Sequence, residues 1–209
     1  MNHAAASLIQ IKGRAAAGSL IDRCRTIGYQ MGIAAHMPDL ANYARQEQLR
    51  DGSPVEIRAL SPDDEGSMLA ALEETSTQSL QRRFFALKRH FSDKERAFFM
   101  EVDFRSHVAL VACVQNAGRS AIVGGGRYVS VEPGRAEMAF VVIDAWQGRG
   151  IGRLLARHLI AIARASGLEE LTAEVLADNT AMRRVFDRLG FKPVARRDPQ
   201  TVHLALRLR

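Results

Sequence analysis

Cysteine is scarce in this sequence: Cys24 and Cys113 are the only two among 209 residues. They form no CxxC pair and do not cluster with histidine, so the sequence offers neither a disulfide framework nor the ligand spacing of a zinc site. We therefore expect two reduced thiols and no bound metal.

Long apolar stretches are also absent. No segment reaches the roughly 18 apolar residues that span a bilayer, and the alanine-rich beginning lacks the apolar core of a signal peptide. We expect a cytoplasmic protein with no membrane partner. An organellar transit peptide is the alternative interpretation of the basic, alanine-rich beginning.

Acidic residues are outnumbered by basic ones, 23 to 29, which gives a net charge of +6 and a pI near 9.9. Such a charge suits a nucleic acid, an acidic protein or a polyanionic small molecule. The arginines form no stripe interleaved with aromatic residues, and no zinc-finger or RNP-like pattern is present. We expect no nucleic-acid partner, while the charge alone does not choose between the other two.

The composition is that of a folded protein, with 47% hydrophobic and 25% charged residues. We predict an N-terminal helical extension over residues 1–52 that packs on the core or on a partner. Its first helix has apolar residues at helical spacing, namely Leu20, Cys24, Ile27 and Met31. Residues 37–50 predict a second short helix that ends near Asp51 and Gly52. The main domain is predicted to cover residues 53–209.

Regular patterns begin at Ser53. Strands are predicted at residues 55–60, 107–114, 121–131, 135–143, 168–176, 191–196 and 201–208. Helices are predicted from Ser61 onward and at residues 79–91, 93–102, 150–166 and 179–189. Elements in this order predict an α/β (α+β) domain with a largely antiparallel sheet flanked by helices. Three consecutive glycines, Gly124–Gly126, predict a bulge in one strand.

Three glycines stand at alternate positions between Gly148 and Gly152, directly after the apolar strand Ala139–Ile143. The helix that follows has Leu154, Leu155 and Leu159 on one side. A glycine turn between a strand and a helix exposes backbone N–H groups at the positive end of the helix dipole, and lets a bulky anion approach them. The sequence therefore predicts a phosphate site here.

This turn has three other interpretations. A P-loop is excluded because no Gly-Lys-Ser/Thr ending is present. A dinucleotide-binding fingerprint would begin at Gly148 and Gly150, but Arg153 stands where its last glycine belongs; Glu170 does lie about twenty residues further on, as such a site needs. This fingerprint and a turn without any ligand stay open as minor alternatives.

The spacing Gln147-x-x-Gly150-x-Gly152 resembles the pyrophosphate loop of the GNAT acyltransferases, which bind acyl-CoA. The similarity continues through Asn179, Met182, Phe186 and Gly190-Phe191, and covers the chain from about Val55 to Arg209. The segments at residues 79–85 and 136–152 resemble the acetyltransferase module of Pat-type protein lysine acetyltransferases, which modify acyl-CoA synthetases.

The resemblance implies a central sheet that splays open at the acyl-CoA site. The pantetheine arm is then expected along the backbone of Phe140, Val141 and Val142. The implied cofactor-binding residues of the turn and its surroundings are Gln147, Gly148, Arg149, Gly150, Ile151, Gly152, Arg153 and Asn179. Solvent exposure is the alternative for Arg149 and Arg153, and helix capping for Asn179.

Glu137 is the catalytic base that the resemblance implies, because the corresponding glutamate has this role in the lysine acetyltransferases. Its alternative is a structural ion pair with Arg135 or Arg127. Many relatives have a tyrosine acid where this chain has Phe186, and phenylalanine cannot donate a proton, so we assign no general acid. We expect His107, His158 and His203 to be structural, because no metal-ligand or catalytic partner stands at the right spacing.

The function implied by the resemblance is acetyl-CoA-dependent N-acetylation by direct attack of an amine on the thioester. Cys24 and Cys113 lie away from the motif, which argues against a covalent relay. The expected acceptor is the lysine side chain of a protein such as an acyl-CoA synthetase. A small-molecule amine, or a non-catalytic acyl-CoA sensor built on the same turn, remain alternatives.

Overall fold

The computed structural model describes residues 39–85, 90–116, 118–194 and 200–209. It contains one mixed sheet and five α-helices in the described ranges. The strands are β1 (Ala44–Gln48), β2 (Pro54–Ala59), β3 (His107–Asn116), β4 (Arg119–Glu132), β5 (Arg135–Val142), β6 (Glu170–Leu176), β7 (Lys192–Val194) and β8 (Thr201–Arg207). The helices are α1 (Glu65–Glu73), α2 (Thr77–Phe84), α3 (Asp93–Met100), α4 (Ile151–Ala165) and α5 (Thr180–Arg188).

The sheet order is β1-β2-β3-β4-β5-β6-β8-β7. All neighbouring strands are antiparallel except β5 and β6, which are parallel. This confirms the predicted mixed, mostly antiparallel sheet flanked by helices. None of the helices in the described ranges is long and apolar enough to cross a membrane.

The helix predicted for residues 37–50 is wrong. A short 3-10 turn covers Leu40–Asn42, and strand β1 follows it and pairs with β2. Residues at both ends of this segment are buried in the core, namely Leu40 and Leu49. The five residues of β1 are polar or small and carry no strong strand signal, so pairing with the sheet edge decides their conformation. The helix predicted at residues 20–31 lies outside the described residues, and the division at residue 52 stays a prediction.

Helix α4 packs across β3, β4 and β5 through a continuous apolar face that includes Leu155 and Leu159, both fully buried. Two glycines of β4 allow this close approach. A Cβ added at Gly124 would lie 3.0 Å from the carbonyl oxygen of Val141, and one at Gly126 would lie 3.1 Å from Cδ1 of Leu159. The predicted bulge lies next to them, where the register between β3 and β4 shifts and leaves Val123 without an opposite residue.

Strands β5 and β6 pair only at their beginnings, from Arg135 opposite Glu170 to Glu137 opposite Thr172. Both strands then continue, to Val142 and Leu176, with no further pairing between the two among the described residues. The sheet therefore splays open after Glu137, as predicted, and leaves one edge of β5 without a strand partner.

Candidate active site

A cleft of about 490 Å³ opens where β5 and β6 separate. Every residue predicted for the site lines this cleft except Arg149. The residues brought together are Glu137, Phe140, Val141, Val142, Gln147, Gly148, Gly150, Ile151, Gly152, Arg153 and Asn179. The cleft thus unites the end of the paired part of β5, the glycine turn and the beginning of α5.

The glycine turn presents unpaired backbone donors to the cleft. Gly148 and Gly150 have φ angles of +77° and +102°, a left-handed conformation that favours glycine, and Gly150 is the residue before α4. Within the described residues, the N–H groups of Gly150, Ile151, Gly152 and Arg153 have no backbone or side-chain acceptor. Four free donors at a helix N-terminus form an anion-binding site.

Gly152 has a different role from the two turn glycines. A Cβ added there would lie 3.2 Å from Cε2 of Phe140 on β5. The missing side chain lets the first turn of α4 lie directly against β5. The N–H groups of the turn and the free edge of β5 therefore border the same cleft.

Gln147 and Asp144 attach the turn to helix α2. Nε2 of Gln147 donates to the carbonyl oxygen of Val142 and to Oγ of Ser79, both at 3.0 Å. The carboxylate of Asp144 accepts from the backbone N and Oγ of Ser76, each at 2.8 Å, and from Oγ of Ser79 at 3.0 Å. Partial burial raises the pKa of Asp144, but these hydrogen bonds outweigh burial and the pKa is lowered. Sequence reasoning missed this network, although Ser76 and Ser79 stand at helix-cap spacing.

Arg149, which was predicted to bind the cofactor, does not line the cleft. Its guanidinium stacks over the Trp146 ring, 4.5 Å from the centroid, and lies 3.6 Å from Oδ2 of Asp51. Arg50 reaches the cleft instead. Its backbone N donates to the carbonyl oxygen of Arg149 at 3.3 Å, and its Nη1 donates to the carbonyl oxygen of Gly148 at 3.5 Å. Arg50 was missed because it belongs to the segment interpreted as an extension.

Basic side chains dominate the charged lining of the cleft. The six arginines are Arg50, Arg82, Arg83, Arg153, Arg184 and Arg188, against two acids, Glu137 and Glu174. Nε of Arg82 is buried and has no hydrogen-bond partner within the described ranges. A buried donor without an acceptor is unfavourable, so the cleft suits a polyanionic ligand that supplies one.

Asn179 combines the two roles proposed for it. Its side-chain oxygen accepts from the backbone N of Met182 at 3.2 Å, which caps α5, and the residue also lines the cleft. Phe186, about two turns further along α5, packs between Phe140 and Phe191, and its ring centroid lies 5.2 and 4.8 Å from theirs. It lines the cleft as an apolar wall and offers no proton donor.

Glu137 is buried, with 8% of its surface exposed, at the last position where β5 pairs with β6. Burial lowers the pKa of the Arg83 guanidinium to about 10, and the nearby charge of Glu137 opposes this decrease. The two arginines named above as alternative ion-pair partners of Glu137 both form bonds with other residues. Arg135 bonds Glu132 and Glu170, and Arg127 donates to the carbonyl oxygen of Phe99 and to Nε2 of His107.

A second carboxylate faces the cleft from β6. Glu174 lies 2.9 Å from Nδ1 of His203 on β8, and both side chains are 10% exposed. His203 was expected to be structural, and its pairing with a residue of the cleft could not be read from the sequence. The two residues stand opposite each other in the register of β6 and β8.

The other two histidines hold the scaffold. His107 Nδ1 bonds the carbonyl oxygen of Glu101 at 2.9 Å, and burial lowers its pKa to about 3, so the ring is neutral and Nε2 accepts from Arg127. His158 bonds Tyr43 and Glu47, and thereby attaches α4 to β1. Both lie outside the cleft, as expected for structural residues.

The fold and the cleft define an acyltransferase, and comparison with known families makes the assignment specific. The model of the acetyltransferase (GNAT) family matches residues 68–191, more than half of the chain, and the chain belongs to this family. The resemblance stated from the sequence is thereby confirmed.

Three relatives illustrate the match. An acetyltransferase of Pseudomonas aeruginosa is 33% identical over 162 residues, which are 75% of this chain and 86% of that protein. The acetyltransferase Pat of Mycolicibacterium smegmatis is 34% identical over 148 residues, and the match covers 68% of this chain but 43% of Pat. The crystal structure of the GNAT domain of S. lividans PAT has a TM-score of 0.73 at 31% identity, with 78% of this chain and 96% of that domain covered.

Proposed function

We propose that this protein is an acetyl-CoA-dependent N-acetyltransferase that acetylates the lysine side chain of a protein. The observation that carries the proposal is the juxtaposition of the unpaired edge of β5 with the four free N–H groups at the beginning of α4. The edge suits an extended chain that bonds as an additional strand, and the N–H groups suit a phosphate. Coenzyme A carries both of these chemical features in one molecule.

The dimensions of β5 agree with such a ligand. From Val142 back to Glu137 the strand extends about 17 Å, at roughly 3.3 Å per residue. This length is comparable to the reach of an extended pantetheine arm. With the diphosphate at Gly150–Arg153 and the arm along β5, the thioester lies beside Glu137. Arg50, Arg82 and Arg153 supply positive charge to the same cleft.

Glu137 is proposed as the general base. A lysine amine has a usual pKa near 10.4, so freeing the neutral amine at neutral pH takes about 4 kcal/mol. The Glu137 carboxylate accepts that proton, directly or through water, and the neutral amine attacks the acetyl carbon. The carbon–sulfur bond of the tetrahedral intermediate then breaks, and the thiolate leaves while the second nitrogen proton passes to it or to water. Phe186 provides no acid for this last step.

Positioning carries much of the remaining catalysis. Holding the amine and thioester in an attack geometry supplies about 7 to 11 kcal/mol. The elements around Glu137 are well fixed for this purpose, because α2 is attached to the turn through Asp144 and Gln147. Arg83, which lies on α2 and is buried beside Glu137, keeps a positive charge next to the base.

The protein-lysine acceptor is supported by the similarity to Pat of M. smegmatis and to the GNAT domain of S. lividans PAT. An acyl-CoA synthetase is the proposed class of protein substrate. A small-molecule amine is the second candidate. A non-catalytic acyl-CoA sensor is a third, and would bind the coenzyme with no transfer to any amine.

The test is to incubate the purified protein with radiolabelled acetyl-CoA and a host lysate and to identify the labelled species. We expect label on lysine side chains of one or few proteins, and a rate of labelling about 100-fold lower with the Glu137→Gln variant. Label confined to small amines would replace the protein acceptor by the second candidate. Coenzyme binding by calorimetry without any labelled product would favour the sensor. No heat with millimolar acetyl-CoA would reject the proposal as a whole.

A further inference from the structure

One of the six arginines that line the cleft differs from the others in burial. Arg83 keeps only 9% of its surface exposed. The other five are half-buried or exposed, namely Arg50, Arg82, Arg153, Arg184 and Arg188. Solvated guanidiniums suit the phosphates of a polyanionic ligand. A guanidinium taken out of water needs another explanation, because burial of a charge is costly unless the charge is paired and hydrogen-bonded.

The charge of Arg83 is only partly compensated in the folded protein. Glu137 acts on it through its charge, yet burial still lowers the pKa of the Arg83 guanidinium to about 10. No described residue accepts a hydrogen bond from this guanidinium. One face of it lies over the ring of Phe84, with Cζ 4.8 Å from the ring centroid. Its N–H donors are therefore available to a ligand in the cleft.

Helix α2 holds Arg83 at the end of the cleft where the proposed function places the thioester. Ser79 bonds Asp144 and Gln147, so the beginning of α2 lies beside the glycine turn. Arg83 stands one helical turn after Ser79, about 6 Å further along the helix axis. There its charge meets that of Glu137, the residue beside which the thioester lies.

The surroundings of Arg83 are largely apolar. A cavity of about 60 Å³ between the sheet and helices α1, α2 and α3 adjoins the cleft, and Arg83 lines both spaces. Phe84 and Phe99 belong to the apolar part of its wall. The other cation of this wall, Arg127, donates to the carbonyl oxygen of Phe99 and to Nε2 of His107. A charge in apolar surroundings acts more strongly on its neighbours than a charge in water.

We propose that Arg83 is a catalytic residue, which stabilises the oxyanion formed from the thioester carbonyl. The inference rests on the proposed function and adds an electrophilic partner to the base Glu137. When the neutral amine attacks the acetyl carbon, an electron pair of the carbonyl double bond moves onto the oxygen, and the N–H groups of Arg83 donate to it. The pair returns to form the amide carbonyl as the carbon–sulfur bond breaks and its electrons leave with the thiolate.

This role explains why a buried guanidinium is useful here. The thioester oxygen carries a full negative charge only in the tetrahedral intermediate, so a fixed cation beside it stabilises that state more than bound acetyl-CoA. Glu137 and Arg83 then serve opposite partners in one step. The carboxylate takes the proton of the amine, and the guanidinium donates to the oxygen.

The first test records the infrared carbonyl band of acetyl-CoA, isotopically labelled at the thioester carbonyl and bound to the full chain without any acceptor. We expect a lower frequency in the unaltered protein than in Arg83→Met, because a donor to the oxygen weakens the carbonyl bond. Glu137→Gln should keep the frequency of the unaltered protein, which separates direct contact with Arg83 from an effect passed through Glu137. Arg164→Met is the matched control, since Arg164 is exposed in the last turn of α4.

Turnover gives the second readout. Arg83→Met should lower the rate of labelling in the lysate about 100-fold, with little change in the calorimetric affinity for acetyl-CoA. Arg83→Lys keeps the charge but not the planar fork of donors, so both the carbonyl frequency and the rate should be intermediate. The lysine variant decides the question if the methionine variant does not fold.

Two results would overturn the inference. One is a carbonyl frequency that is the same in the unaltered protein and in the folded Arg83 variants, which would assign the polarisation of the carbonyl to backbone donors. The other is a loss of acetyl-CoA affinity as large as the loss of turnover, which would make Arg83 a binding residue. Transfer by the unaltered protein would leave the proposed function intact in both cases. If acetyl-CoA gives neither heat nor a bound carbonyl band, the proposed function itself fails.

Discussion

The two edges of strand β5 have opposite properties. Toward β4, the strand is paired along its whole length, from Arg135 opposite Glu132 to Val142 opposite Gly124. Toward β6, it is paired only from Arg135 to Glu137. Residues 138–142 therefore belong to the core of the sheet on one side and to the cleft on the other.

This difference shows how one strand can serve both folding and binding. Backbone N–H and C=O groups in a protein interior need partners, and on the β4 side the sheet supplies them. On the β6 side they are left to water or to a ligand, which makes the open edge a binding surface. Changes on the open side should therefore affect chemistry and binding, and changes on the paired side should affect stability.

The largest effect is expected at Glu137, where the open edge begins. Glu137→Gln should lower turnover about 100-fold, because the amide cannot accept the proton of the attacking amine. Affinity for acetyl-CoA should change little, since the phosphate-binding N–H groups lie at the other end of the cleft. Steady-state acetyl transfer and calorimetry measure the two quantities.

Glu132→Gln is the control for this variant. Glu132 is an exposed carboxylate that pairs with Arg135 outside the cleft, so its loss should leave turnover unaltered. Equal turnover of Glu137→Gln and the unaltered enzyme across the pH range would remove Glu137 from the mechanism.

Substitutions at the edge of β5 that pairs with β4 should lower the free energy of unfolding. In Gly124→Val, the new Cβ would lie 3.0 Å from the carbonyl oxygen of Val141 and 3.3 Å from Cγ2 of Ile151, so backbone and helix must shift. Overpacking of this kind costs about 1 to 3 kcal/mol in the free energy of unfolding. Gly125→Ala, at the next position, meets an atom only at 3.6 Å and should be much less destabilising. Urea unfolding of the two variants compares them, and equal stabilities would contradict the close packing of α4 on β4.

Gly152→Ala should weaken the binding of acetyl-CoA and leave the stability of the fold nearly unchanged. The added methyl would lie 3.2 Å from the Phe140 ring and push the first turn of α4 away from β5. A helical alanine is about 1 kcal/mol more favourable than glycine, which offsets much of the steric penalty. We therefore expect nearly unchanged thermal stability with acetyl-CoA affinity about fivefold lower, corresponding to about 1 kcal/mol.

Gly66→Ala in α1 is the control. Alanine again favours the helix over glycine, and no atom lies within 4 Å of the added Cβ, so this variant should be more stable and bind acetyl-CoA with unchanged affinity. If Gly152→Ala binds acetyl-CoA as tightly as the unaltered protein, the close approach of turn and strand does not matter for the coenzyme.

Much of the fold could be predicted because local patterns determine it. The alternating segments from Ser53 onward and the glycine turn after an apolar strand each reflect the neighbouring residues. The predicted residues that line the cleft followed from the family resemblance of the segment from Glu137 to Arg153 and of Asn179. Strand β1 could not be predicted, since its polar residues become a strand only by pairing with β2. Arg149 was misplaced for a similar reason: Trp146 and Asp51 compete for its guanidinium.

The contacts that complete the site were also hidden from the sequence. Arg83 beside Glu137, and His203 beside Glu174, join residues that are far apart in the chain. Such pairs depend on how the strands and helices are arranged in space, and no local spacing encodes them. Only the fold brings these residues together.

The smallest effect is expected at Asp144, which attaches the open side of the cleft to α2. Because its pKa is lowered in the folded protein, the carboxylate contributes stability that is present above the usual aspartate pKa and is lost as the pH falls through the lower, folded value. Asp144→Asn removes this dependence. At pH 7 the variant should therefore be slightly less stable, and the difference should shrink as the pH is lowered through about 4 toward 3.

Thermal unfolding of both proteins across this pH range measures the change. The hydrogen bonds from Ser76 and Ser79 are largely exposed, so the shift in melting temperature should be small, on the order of a few degrees. A difference that grows toward acid pH would mean that Asp144 is more easily protonated in the folded protein than in the unfolded chain. In that case the link between α2 and the glycine turn would depend on the amide of Gln147 rather than on the charge of Asp144.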